Sequence, residues 1–221
     1  MRTVIAGGHG QIALHLERLL ADSGHTPVGL IRNPAQSEDL RAAGAEPVVC
    51  DLESATVEEV AAVLAGADAA VFAAGAGPGS GAGRKDTVDR AAAVLFADAA
   101  ELAGVRRLVV VSSMGADREP APGTDPVFAA YLRAKAAADA DISARKGLDW
   151  TVLRPGALTD GPATGRVLLA PSTGRGSVPR ADVAAVLAAL LDTPATSGLT
   201  LELIAGEVPV REAVAAAVGS S

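Results

Sequence analysis

The sequence predicts a single-domain α/β fold, a doubly wound parallel sheet with helices on both faces. Three observations carry this expectation. Short β-branched runs alternate with longer alanine-rich stretches of helical periodicity along the 221 residues. Most of the runs are apolar throughout rather than alternating, which marks strands covered on both faces. Apolar residues make up 49% of the chain but aromatics only 2%, with 24 glycines and 49 alanines. The core must then form by close approach of backbones, because few large side chains are available to fill space. One domain spanning 1–221 is expected at this length.

The elements follow in order. The strand Thr3–Ala6 leads into a helix in which Ile12, Leu16, Leu19 and Leu20 share a face while His15, Glu17 and Arg18 point away. Gly24 ends that helix. Further strands are expected at Pro27–Ile31, Glu46–Cys50, Ala70–Ala73, Leu108–Ser112, Trp150–Leu153 and Thr200–Ile204, with helical segments between them. Two stretches read as irregular. Gly75–Gly83 carries five glycines, and Pro155–Pro179 is rich in Gly, Pro, Ser and Thr. In open α/β sheets ligands bind at the carboxyl edge, so both are candidate lids or else ordinary surface loops. Substrate-side loops are expected at 113–126 and 155–180.

Composition excludes several classes of function. The net charge is −7, and the three lysines (Lys85, Lys135, Lys146) and scattered arginines form no basic stripe. Nucleic acid and membrane surfaces are therefore not expected partners. No apolar run approaches the roughly 20 residues of a membrane span. The first glycines follow a run of only three apolar residues, Val4–Ala6, too short for the core of a secretory leader. Cys50 stands alone, which leaves no internal disulfide and no multi-cysteine metal site. A reduced cytoplasmic setting is expected, with a small-molecule substrate, no metal, and a monomer or homodimer.

The best local signal is Ala6-Gly7-Gly8-His9-Gly10-Gln11-Ile12-Ala13, which leaves a strand and opens a helix. Gly7 permits the tight turn, Gly10 lets a diphosphate approach the backbone, and Ala13 lets the helix pack close to the sheet. The free N–H groups of the helix start favour phosphate. An NAD site usually ends its second strand with Asp or Glu to bond the adenosine ribose. Here that strand ends Leu30-Ile31-Arg32-Asn33-Pro34. Arg32 suits a 2′-phosphate, so NADP(H) is favoured over NAD(H). A surface arginine before a helix is the plainer alternative. Asp51, at the end of the third strand, is either an adenine contact or a turn residue.

Chemistry is suggested by Tyr131-Leu132-Arg133-Ala134-Lys135, whose first and last residues share a helix face. An ammonium beside the phenol would lower a pKa that is normally near 10. Tyr131 could then give a proton to a carbonyl oxygen as hydride arrives, with Ser112 or Ser113 polarising the same carbonyl. An ordinary surface helix is the alternative.

Taken together, VIAGGHGQIA (4–13), LIRNP (30–34), CDL (50–52), FAAGAGPGSGAG (72–83), VVVSSMGAD (109–117), YLRAKAAAD (131–139), LDWTVLRPGALTD (148–160) and VPRADVA (178–184) resemble the short-chain dehydrogenase/reductase superfamily. The similarity is to its atypical NAD(P)H-binding branch, which includes NmrA-like and flavin/biliverdin reductase-like proteins, and it covers nearly the whole chain. It implies a Rossmann fold. It also implies that Gly7, His9, Gly10, Gln11 and Ile12 contact the diphosphate and neighbouring ribose. Arg32 and Asn33 would hold the 2′-phosphate, and Asp51 and Leu52 would flank adenine. Ala73, Ala74 and Gly75 would lie along the dinucleotide, and Pro155 and Gly156 would border the nicotinamide. Lys135 would reach the nicotinamide ribose. Ser113 matches the family serine, with Ser112 as fallback, beside Tyr131 and Lys135. The segment from Ser113 to Tyr131 is longer than in typical members and contains the loop Asp117–Pro126, which leaves open whether Tyr131 reaches the nicotinamide. The resemblance implies an NADPH-dependent oxidoreductase for a small carbonyl, quinone or flavin-like acceptor. Its alternatives are a cofactor-sensing regulator without turnover and a small epimerase or dehydratase.

Overall fold

A computed structural model describes residues 1–77 and 79–219; Pro78, within the glycine-rich stretch, and Ser220–Ser221 lie outside the described residues. All seven expected strands form, as β1 (Arg2–Ala6), β2 (Thr26–Ile31), β3 (Glu46–Val49), β4 (Ala69–Phe72), β5 (Arg107–Val111), β6 (Asp149–Pro155) and β10 (Leu199–Ala205). They are parallel, in the order β3-β2-β1-β4-β5-β6-β10. The stretch read as irregular at Pro155–Pro179 is nearly half strand. It carries β7 (Ala157–Thr159), β8 (Arg166–Ala170) and β9 (Ser177–Pro179). β8 joins the main sheet antiparallel to β10, followed by β11 (Val208–Pro209), while β7 and β9 pair separately.

The unbroken apolar strands are explained by their two faces. Ile5, Val71, Val109 and Val111 pack with α1 (Gln11–Asp22), α7 (Arg180–Leu191) and α8 (Val210–Gly219). Their neighbours Val4, Ala6, Ala70, Phe72, Leu108 and Val110 pack on the opposite face with α3 (Val57–Leu64), α5 (Ala92–Ala103) and α6 (Pro126–Ser143). The shortage of aromatics is met by concentration, since Phe72 and Phe96 are both fully buried with ring centroids 6.0 Å apart.

One helix face differs from the expectation. Glu17 does not point to solvent. It is fully buried in α1, and neither carboxyl oxygen has a hydrogen-bond partner. Leu19 is the more exposed residue, at 39%. Two glycines make room for the acid. A Cβ on Gly29 would sit 2.5 Å from Glu17 Oε1, and one on Gly8 would lie 2.8 Å from the Gly29 Cα.

The strand order reverses between β1 and β4, whose ends Ala6 and Phe72 are in register. Chains leaving neighbouring strands in opposite directions open a crevice at that point.

Candidate functional site

The crevice is a cleft of about 250 Å³. Of the residues named from sequence, Gly7, His9, Gly10, Arg32, Asp51, Leu52, Ala73, Ala74 and Gly75 line it together. Its floor is shaped by the glycine turn. Gly7 has φ +79°, and a Cβ there would lie 2.7 Å from the Ala74 Cα. One on Gly10 would lie 3.0 Å from the Gly7 carbonyl oxygen. α1 begins after Gly10 with no side-chain cap and no acidic residue in its first turn. Uncapped N–H groups at a helix start carry partial positive charge, so this end of the cleft fits a phosphate anion.

Around this floor several side chains are already committed. His9 bridges Asp39 (2.8 Å) and Gln36 (3.0 Å). Asn33 caps the short helix at Pro34–Gln36, its Oδ1 accepting from Ala35 N at 3.0 Å. Asp51 is a turn residue, accepting from Glu53 N at 3.1 Å, while also lining the cleft. Arg32 stands 3.5 Å from Glu53. Gln11 is exposed at the first turn of α1, beside a second cleft lined by His15, Arg18, Asp160 and Arg180. Ile12 packs against the core.

Toward the ends of β5 and β6 lies a second polar group. Despite the long Asp117–Pro126 insertion, Tyr131 returns to Ser113. α6 starts at Pro126, with Asp125 capping Phe128 N at 2.9 Å, and brings the tyrosine back over the sheet edge. Lys135 lies one turn on. It is 4% exposed, donates to the Val111 carbonyl at 3.0 Å and stands 3.5 Å from Asp89. Ser112 turns inward and donates to Asp139 at 2.8 Å, and Asp139 also accepts from Arg154. This leaves Ser113 as the half-buried serine facing Tyr131. Pro155 is tied in by Met114 N, and Gly156 is required by packing, since a Cβ there would meet the Gly176 carbonyl at 2.4 Å.

The electrostatics correct one expectation. Lys135 does not lower the Tyr131 pKa. Its ammonium sits 6.0 Å from the ring centroid, and burial, with Asp89 and Asp139 nearby, pushes the phenol up to about 12. The neighbouring Ser113 hydroxyl, which donates to the Met114 carbonyl at 3.3 Å, only partly offsets this. Burial also pulls the Lys135 pKa down, against its attraction to Asp89. The i,i+4 spacing correctly placed both groups on one face, but depth below the surface decided the sign.

Several residues here were missed from sequence. Lys85 and Asp89 come from the π-helical segment Lys85–Ala91, a geometry frequent at functional sites. Lys85 donates to the Gly77 carbonyl at 3.0 Å and lies 5.4 Å from the Tyr131 ring centroid. Asp89 is fully buried and accepts from Ala76 N at 3.4 Å. A signal existed: positions 85, 89, 92 and 96 continue the buried stripe of α5 toward the glycine-rich stretch. Phe128, half exposed, stacks on Tyr131 with centroids 5.9 Å apart. Among the described residues no acidic, His or Cys cluster could hold a metal ion, and no helix is long and apolar enough to cross a membrane.

This geometry agrees with what known proteins show. Residues 7–194 match the family model described as NAD(P)H-binding. The chain is 35% identical, over 97% of its length and 99% of the relative's, to a Bacillus subtilis protein named as the uncharacterized sugar epimerase YhfK. A solved structure from Bacillus halodurans, described provisionally as an NAD-dependent epimerase/dehydratase, superimposes with a TM-score of 0.90 at 36% identity, covering 98% of this chain and 99% of that one. The oxidoreductase YlbE of Lactococcus lactis gives 0.87 at 27% identity, over 99% and 97% of the two chains. The chain therefore belongs to the NAD(P)H-binding family.

Proposed function

We propose that the protein is an NADPH-dependent oxidoreductase that reduces a small carbonyl, quinone or flavin-like acceptor. The observation that carries this reading is that Tyr131 comes close to Ser113 beyond the carboxyl end of β5, on the same edge of the sheet as the glycine-turn cleft. In this reading Gly7, Gly10 and the start of α1 hold the diphosphate. Arg32 holds the 2′-phosphate, Asp51 and Leu52 flank adenine, and Pro155 and Gly156 border the nicotinamide, which supplies the hydride. Ser113 and Tyr131 orient the acceptor oxygen, and the phenol delivers the proton.

The raised pKa keeps Tyr131 in its acid form at neutral pH. With a phenol at about 12, only ~1 in 10⁵ molecules holds a phenolate at pH 7. Tyr131 thus holds the proton that reduction of an acceptor oxygen consumes, although it is a weaker acid than an ordinary phenol. Tyr131→Phe tests the reading. Turnover of NADPH with the best of a panel of quinones, flavins and aldehydes should fall at least about a hundredfold, with NADPH affinity unchanged. Unchanged turnover would remove Tyr131 from the mechanism.

One observation favours a second reading, a sensor that binds the cofactor without turnover. Lys135 is already engaged by Val111 and Asp89 and is nearly inaccessible to a ribose hydroxyl. A sensor would bind NADPH yet oxidise it with no acceptor, and its assembly state would follow the NADPH/NADP ratio. An epimerase or dehydratase, as two relatives are named, would instead convert substrate with no net cofactor consumption.

A further inference from the structure

Glu53 and Arg84 stand in the cleft wall with no role in the reading above. Arg84 ends the short helical turn Ala82–Arg84, after the glycine-rich stretch that follows β4. Arg32 ends β2 on the other side of the cleft, and both guanidiniums line it. They converge on one carboxylate. Arg32 Nη1 is 3.5 Å from Glu53 Oε2, and Arg84 Nη2 donates to the same oxygen. Arg84 Nε reaches Oε1 at 3.4 Å, and Thr87 Oγ1 donates to Oε1 at 2.8 Å. These bonds, led by that from Arg84, hold the Glu53 carboxyl below its ordinary range.

Two guanidinium forks around one small anion form an arrangement that also suits a phosphate. We infer that Glu53 is an intramolecular substitute for the adenosine 2′-phosphate, and that Arg84 is a second ligand of that phosphate, released when the phosphate displaces the carboxylate. This rests on the NADPH reading. A dianionic phosphate takes both arginines with more charge than Glu53 offers. A ligand lacking that phosphate leaves the Glu53 pairs intact and meets a carboxylate near its ribose, the group that dinucleotide sites use to accept ribose hydroxyls. Glu53 therefore works against NADPH, and Arg84 works for it.

The test uses ligands that carry only the adenosine half, adenosine 2′,5′-bisphosphate and AMP, titrated calorimetrically. Arg84→Ala should weaken the bisphosphate about tenfold or more and AMP less than about twofold. Arg84→Lys, which keeps the charge but loses the fork, should fall between. Glu53→Gln should tighten the bisphosphate several-fold and leave AMP unchanged or weaker. All three positions are partly exposed, and thermal unfolding of each variant checks that it is folded. Equal losses for both ligands in Arg84→Ala would overturn the role of Arg84. A weaker bisphosphate in Glu53→Gln would overturn the competition, because Glu53 would then be needed to position the arginines. Arg32→Ala separates this inference from its premise. If it leaves the bisphosphate-to-AMP ratio unchanged while Arg84→Ala collapses that ratio, the Arg32 reading fails and the Arg84 assignment stands. A wild-type protein that does not distinguish the two ligands overturns both.

Discussion

Glu17 should make the fold lose stability as pH rises, and Glu17→Gln should abolish most of that loss. The acid is fully buried without a hydrogen-bond partner, and its pKa is pushed from 4.5 up to about 8 by burial, with only Arg18 acting against it. Because the folded state binds this proton more tightly than the unfolded state, stability is complete below about pH 4.5 and declines as pH rises to about 8. At 1.36 kcal/mol per unit, the loss is about 3 kcal/mol at pH 7 and about 5 kcal/mol above pH 8. Glutamine has the same shape and no titration. The melting temperatures of the two proteins should be within a few degrees at pH 5, with the variant higher by roughly 10 °C at pH 9 for a chain of this size. Scanning calorimetry from pH 5 to 9, backed by urea unfolding at each pH, reads the difference directly. Parallel curves with a constant offset would refute the argument, since they would mean that Glu17 keeps an ordinary pKa and finds water or a partner.

Other consequences follow from the same packing. Gly7→Ala needs a residue with a side chain at φ +79° and places its Cβ 2.7 Å from Ala74, so NADPH binding should be lost and stability should fall by about 1–3 kcal/mol; unaltered cofactor affinity would mean the turn is not the phosphate cradle. Arg107 is buried, bonds Thr151, Thr196 and the Asp149 and Leu190 carbonyls, and has its pKa drawn down to about 10 by burial. Arg107→Ala should cost about 3–5 kcal/mol in urea unfolding, because four acceptors lose their donor and the side chain leaves a hole; a loss below about 1 kcal/mol would show that this network contributes little. Asp89→Asn should remove a negative charge that helps to raise the Tyr131 pKa, moving the alkaline limb of the kcat/KM profile to lower pH while the Km for NADPH changes little; an unshifted profile would make Asp89 purely structural.

The legible part of this chain was what periodicity and glycine chemistry encode. Seven strands of the main sheet could be read because both faces are covered and the runs are unbroken. The glycine turn could be read because only its spacing satisfies the strand-to-helix step. Arg166–Ala170 was missed because its alternating exposure, with Val167 and Leu169 buried, is embedded in Gly, Pro and Thr. Glu17 was misplaced because a charged residue in a helix is usually outside, and only the Gly8–Gly29 approach, brought together by the sheet, makes space for it. The Tyr131–Lys135 face was correct from spacing, but its electrostatics depended on burial and on Asp89 from a distant segment. Arg84 and Glu53 meet across 31 positions, a distance that no local pattern spans.

The central claim is a cofactor site that favours NADPH and serves reduction. Titration of the purified protein with NADPH and with NADH, under identical salt, tests it most directly. The account predicts tighter binding of NADPH, with the advantage reduced about tenfold or more in Arg32→Ala. Tighter binding of NADH, or an advantage untouched by that substitution, would contradict it.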